Sequence, residues 1–144
     1  MHKRPCVLAG LCLALLSATT GCYWTNGKWS FTRPSKPPLN QSLRVSVRSS
    51  LLSPGTAVLQ VTNVTAKPLR KLTVYFRNCD NNQQTYYNIA ELKPSELREI
   101  GLLEAGWALA PNEEVTIAAE GFTGFQLTTY RADNGTVGIR EPWW

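Results

Sequence analysis

Downstream of Gln41 the apolar and polar residues alternate in short runs. Leu43, Val45 and Val47 alternate with Arg44, Ser46 and Arg48, the period-two signature of a strand with one face buried. The same pattern predicts a second strand over Ala57 to Val64, with Leu59 and Val61 opposite Gln60 and Thr62. A third follows, in which Leu72, Val74 and Phe76 alternate with Thr73, Tyr75 and Arg77. Thr85 to Ile89, Glu114 to Ala119, Phe125 to Arg131 and Thr136 to Arg140 continue the series. Pro54-Gly55, Ala66-Lys67-Pro68, Cys79 to Gln83 and Pro111-Asn112 supply turns between them. Asp133-Asn134-Gly135 predicts a type I′ hairpin, because Asn-Gly readily adopts the positive φ angles it needs. Residues 90–110 are the least regular: Pro94 interrupts a run of helix formers, and Gly101 and Gly106 bracket Leu102-Leu103. A strand over Arg98 to Leu103 is expected there, with a helical turn near Ser95 to Arg98 as the competing reading.

Seven or eight short strands with a turn every ~8–12 residues and no long amphipathic helix predict an all-β, immunoglobulin-like antiparallel β-sandwich over residues 42–144. A small β-barrel is the alternative. Three stretches, Leu59-Gln-Val-Thr-Asn63, Leu72-Thr-Val-Tyr-Phe76 and Leu109-Ala-Pro-Asn-Glu-Glu-Val-Thr-Ile117, resemble bacterial extracytoplasmic immunoglobulin-like modules. That resemblance implies a fold and no activity.

The N-terminus follows different rules. Lys3 and Arg4 precede the apolar run Val7 to Ala18, which as a helix spans roughly 18 Å, short of the ~30 Å hydrocarbon layer. Residues 1–21 therefore read as an export signal and not as a membrane span. The small residues Ala18, Thr19, Thr20 and Gly21 lead to Cys22. Gly21-Cys22 resembles the cleavage site of bacterial lipoproteins, with Thr19 standing where the family usually has Leu. The resemblance implies a diacylglyceryl group on the Cys22 sulfur and an acyl group on its amine, two signals that together anchor a protein durably. Residues 22–41 then form the lipid anchor and a Pro-containing linker, without a sustained helical or strand period. Trp24, Trp29 and Lys28 are its candidate membrane-interface residues, since aromatic rings and basic side chains favour the headgroup region. Folding back onto the domain is the other option for these rings.

Composition narrows the chemistry. The chain has 144 residues and one histidine, His2, inside the expected signal. Ser-His-Asp and Cys-His catalysis are excluded from the mature chain, and zinc loses its commonest nitrogen ligand. No enzyme activity, cofactor or metal is expected. Glu91, Glu96, Glu99, Glu104, Glu113, Glu114 and Glu120 are the carboxylates available for glycosidase chemistry, but they sit beside turns and on polar faces. Without Lys3 and Arg4 the 15 basic residues become 13 against 10 acidic, a mildly basic balance without the dense run that nucleic-acid binding needs. With Cys22 acylated, Cys79 is a lone thiol, and a buried sulfur at a strand end is the expected reason. The sequons at Asn40, Asn63 and Asn134 matter only in a eukaryotic secretory route.

The aromatic residues remain. Trp107 is expected to pack in or over the core. Trp143, Trp144, Tyr86 and Tyr87 are the candidate ligand-binding residues. The reading as a whole is a lipid-anchored protein of the bacterial cell envelope, facing the periplasm or cell surface, whose sandwich binds or scaffolds an envelope protein partner. Binding of peptidoglycan or surface polysaccharide through exposed aromatics is the alternative.

If Cys22 carries the anchor, Cys22→Ala moves the protein from the membrane to the soluble fraction, and intact-mass analysis loses the acyl increment. An unmodified wild-type thiol would contradict the anchor.

Overall fold

The computed structural model describes residues 35–141 and, as backbone only, Cys22–Thr25 and Lys28–Phe31. The expected signal over residues 1–21, and Trp143 and Trp144, lie outside the described residues.

Cys22–Thr25 (β1) and Lys28–Phe31 (β2) pair antiparallel, with Trp24 opposite Trp29 and Thr25 opposite Lys28. This corrects the expectation of a linker without strand period. The register leaves Asn26-Gly27 between two runs rich in aromatic residues, and Asn-Gly in that setting is a two-residue hairpin signal.

The sandwich comprises eight strands: Leu43–Ser49 (β3), Ala57–Asn63 (β4), Leu69–Asn78 (β5), Gln84–Leu92 (β6), Leu97–Ile100 (β7), Glu113–Ala118 (β8), Phe125–Arg131 (β9) and Val137–Arg140 (β10). They form two antiparallel sheets, β3-β4-β7 and β10-β9-β8-β5-β6. Counted from β3, the first, second and fifth strands share one sheet and the third, sixth and seventh are neighbours in the other, as in immunoglobulin sandwiches. Neither sheet closes on itself, so the architecture is the expected sandwich and not a barrel.

Alternation builds the core. Leu59 and Val61 of β4 face Leu72, Val74 and Phe76 of β5 and Val115 and Ile117 of β8, all at most 2% exposed. Burying each such aliphatic side chain contributes ~1.5–3 kcal/mol. Packing begins ahead of Ser42: Leu39, in a 3₁₀ turn over Leu39–Gln41, is fully buried and bonded through its N–H to the Thr123 carbonyl. Alternation breaks once in β5, where Lys71 takes a left-handed φ of 50°. Leu69 and Leu72 therefore both point inward, and their partners Leu92 and Ile89 do the same.

Several local expectations are corrected. The strand expected over Arg98 to Leu103 ends at Ile100, and the helical turn lies at Leu102–Ala105 (α1), not at Ser95 to Arg98. Gly101 permits this switch: a Cβ there would sit 3.1 Å from Val58 Cγ2. The β9–β10 hairpin is not type I′. Gly135 has φ 81° while Asn134 is absent from the positive-φ residues, and bonds from Gly135 N–H to Ala132 O and from Ala132 N–H to Thr136 O enclose a three-residue loop. A right-handed turn closed by a left-handed glycine is the next commonest hairpin solution.

Asn63 ties the two sheet crossings together. It is fully buried at the end of β4; its Nδ2 donates to Lys67 O (2.8 Å) and Leu92 O (3.0 Å), and its Oδ1 accepts from the Thr65 N–H and hydroxyl. Its backbone bonds Ser95 and Glu96 across the β6–β7 connection. The amide of this sequon is thus spent on the fold. Asn63→Ala leaves buried carbonyls unpaired and should cost about 2–4 kcal/mol in urea unfolding; a loss below ~1 kcal/mol would show that the crossings hold without it.

Candidate functional site

Tyr86 and Tyr87 are adjacent on β6, so alternation sends them to opposite faces. Tyr87 packs against the core, while Tyr86 is 62% exposed on the solvent face of the five-stranded sheet. The structure therefore separates this pair and joins Tyr86 to a residue outside the predicted set, its cross-strand partner Tyr75, at a ring-centroid distance of 6.3 Å. The two rings are tilted by 44° and do not form a coplanar platform. Of the other expected residues, Trp143 and Trp144 lie outside the described residues, as do the side chains of Cys22, Trp24, Lys28 and Trp29.

Around Tyr75 and Tyr86 the solvent face is polar and nearly neutral. The register runs Tyr86, Tyr75, Thr116, Gln126 across four strands. On one side Thr73 donates to Asn88 (2.9 Å); on the other Arg77 pairs with Glu114 (3.2 Å). At the far side the Arg140 guanidinium lies 5.4 Å from the centre of the Tyr130 ring, which itself lies against Gly138. Tyrosine with small hydroxyl and amide side chains is a composition suited to recognising a protein surface, because it offers contact area and hydrogen bonds with little rotamer entropy to lose.

Beyond β6 no further strand pairs among the described residues. This edge is nine residues long, has neither proline nor lysine, and carries a single charge, Glu91, beside Arg70 at 3.8 Å. The other three edges differ. β7 and β10 have four residues each, and β3 carries Arg44 and Arg48. Only Leu92, at the end of β6, has its carbonyl engaged by Asn63. Short length, proline and lysine, three devices that guard an edge, are thus missing where the edge is longest, although α1 packs near this strand.

A second surface feature was not anticipated. Leu51, Leu52, Leu102 and Leu103 surround a cavity of about 230 Å³ on the outer face of the three-stranded sheet, with Val58, Arg48, Glu99 and Glu104 in its lining. Arg48 grips Glu99 through two bonds, Nε to Oε1 at 2.7 Å and Nη2 to Oε2 at 2.5 Å, and Gln60 adds a third at 2.9 Å. The Arg48 bond first, and then that of Gln60, hold the Glu99 carboxyl down at about 2. Although Glu99 and Glu104 share one cavity, a carboxyl held that low is a poor proton donor at neutral pH. The sequence carried a signal for this site, two leucine pairs placed in turns, where an apolar run has no strand face to occupy.

Two further expected residues behave differently. Cys79 is exposed in the turn after β5, correcting its expected burial, because the strand ends at Asn78 and carries the sulfur past the core. Local desolvation, with Glu114 nearby, raises its thiol above the ordinary value, so the proton stays on sulfur at neutral pH. Trp107 stacks on Phe76 as expected and donates from Nε1 to the buried Glu113 (2.8 Å). Glu113 also accepts from Asn78 and the Ala110 N–H, yet burial still pushes its carboxyl up. Glu113 braces the loop that leads into β8. Among the described residues no helix is long and apolar enough to cross a membrane, and no group of three or more His, Cys, Asp or Glu residues is placed to hold a metal.

Comparison with known proteins finds no family model, no curated protein and no solved structure that matches the chain.

The Arg48–Glu99 pair makes a pH prediction. Glu99 has a lower value in the folded chain, about 2, than its ordinary 4.5. Its contribution to stability is complete above 4.5 and is lost as the pH falls from there toward 2. In urea unfolding, wild type should exceed Glu99→Gln at pH 7, and the gap should shrink by pH 3. A gap independent of pH would show that the pair contributes nothing through ionisation.

Proposed function

We propose that the chain is a lipid-anchored protein of the bacterial envelope, without enzymatic activity, whose sandwich binds a protein partner by accepting an extended segment along β6. The observation that carries this reading is the edge itself, beyond which no further strand pairs among the described residues. Gln84 to Ala90 is an uncharged stretch of edge strand, and alternate backbone groups of an edge point away from the sheet and await partners. Strand addition satisfies them, and pockets for alternate side chains give the match its specificity. Exposed Tyr86, beside Tyr75, supplies an aromatic anchor next to the incoming strand. In this reading an acylated Cys22 fixes one end of the chain on a membrane, which concentrates the edge near partners in the same envelope. Carbohydrate binding is the weaker reading, because it has Tyr86 and its tilted neighbour in place of a flat pair of rings.

Photocrosslinking in intact cells tests it. A photoreactive residue at position 86 should form a discrete protein adduct, and Asn88→Lys, which charges the edge, should reduce that adduct at least tenfold while leaving urea stability unchanged. Undiminished crosslinking in Asn88→Lys, or crosslinking to polysaccharide alone, would contradict strand addition.

A further inference from the structure

The leucine-lined cavity is built from β3, β4, β7, α1 and the β3–β4 turn, and uses no residue of β6. Its walls are unusual in two respects. First, Leu51 is 90% and Leu103 79% exposed, and they stand on separate turns that nonetheless border the same space. A single exposed leucine is ordinary; four around one hollow form a contiguous apolar surface of the kind that marks an interaction site. Second, the polar wall is held in place. Arg48 is fixed to Glu99 by two bonds and donates from Nη1 to the Ser49 carbonyl, while Glu99 is also held by Gln60, itself bonded to Ser46. The hollow therefore has one fixed polar wall, on a sheet face, opposite leucines that stand out from turns.

Size and charge indicate what fits. A cavity of about 150 Å³ takes up one benzene ring; this one, at about 230 Å³, accommodates one aromatic side chain. Arg48 pairs with Glu99 and also feels the charge of Glu104, so the lining carries two carboxylates against one guanidinium. Glu104 Oε2 accepts the Gly101 N–H at 2.9 Å. The rim is thus acidic on a chain that is basic as a whole. A bilayer is poorly matched to such a rim, since interfacial docking relies on basic and aromatic residues around the apolar tip and the lining has no unpaired base and no ring.

We infer that this hollow is a second binding site, which takes one aromatic side chain of a partner polypeptide whose neighbouring residue is lysine or arginine. The aromatic ring fills the space over Val58 between the leucine pairs, and the cation meets Glu104. The site goes beyond strand addition at β6 and stands without it.

Short peptides test it directly. The full-length protein, labelled at leucine and valine methyls, is titrated with N-acetyl-Trp-Lys-amide, N-acetyl-Trp-Glu-amide and N-acetyl-Ala-Lys-amide, and separately with phosphatidylcholine vesicles. Trp-Lys should give saturable shifts at the methyls of Leu51, Leu52, Val58, Leu102 and Leu103, with Trp-Glu at least threefold weaker and Ala-Lys without effect. Leu103→Ser, at an exposed position, should weaken Trp-Lys binding at least fivefold. Glu104→Gln, which keeps an acceptor for Gly101, should abolish the preference for Lys over Glu. Equal binding of Trp-Lys and Trp-Glu, shifts spread evenly over the molecule, or a response to vesicles alone would each overturn the inference. Because no β6 residue enters the readout, failure here leaves strand addition standing, and the reverse holds as well.

Discussion

A sandwich that does not close must end each sheet in a strand whose outward backbone groups find no partner within that sheet. That constraint organises this molecule. Its inner faces are resolved by packing, with Leu59, Val61, Leu72, Val74, Phe76, Val115 and Ile117 sealed between the sheets. Its edges are resolved unevenly: β7 and β10 are short and β3 is charged, while β6 is long and uncharged over most of its length. An edge of that kind is a hazard for aggregation unless something is meant to occupy it. The polar surroundings of Tyr86, with Thr73, Asn88 and Thr116 nearby, keep the face soluble without capping the edge.

Charge on the surface is organised with the same economy. Arg48 with Glu99, Lys71 with Glu120, Arg77 with Glu114 and Arg98 with Glu96 pair within 3.2 Å. Exposed pairs of this sort add little stability each. Their larger effect is to remove local fields, so that the surfaces left with a distinct character are few. One is the neutral, tyrosine-bearing face beside β6. The other is the leucine-lined hollow, with two carboxylates and one guanidinium in its lining.

Most of the fold was legible because period-two alternation is a direct image of a two-faced sheet. Phe125–Arg131 is a strand over the span its alternation predicts, and the inward residues of β4 and β5 are those the pattern selects. The departures have specific causes. Lys71 in the left-handed region shifts the phase of β5, which no alternation rule anticipates. Asn26-Gly27 was a hairpin signal hidden by the prolines that follow it, and Asn134-Gly135 encoded a hairpin of a different turn type. At the candidate site, Tyr86 and Tyr87 take opposite faces once β6 is a strand, and the neighbour of Tyr86, Tyr75, lies on another strand, because register across strands is a tertiary fact. The hollow depended on the Gly101 switch from strand to helical turn, which brings Leu102 and Leu103 up beside Leu51 and Leu52.

Amide hydrogen exchange along β6 distinguishes an occupied edge from an open one. If a partner strand covers β6 in the envelope, the outward amides between Gln84 and Ala90 exchange at least tenfold more slowly there than in the purified protein, while β10 amides exchange alike in both. Identical exchange of β6 in the two settings would contradict the account.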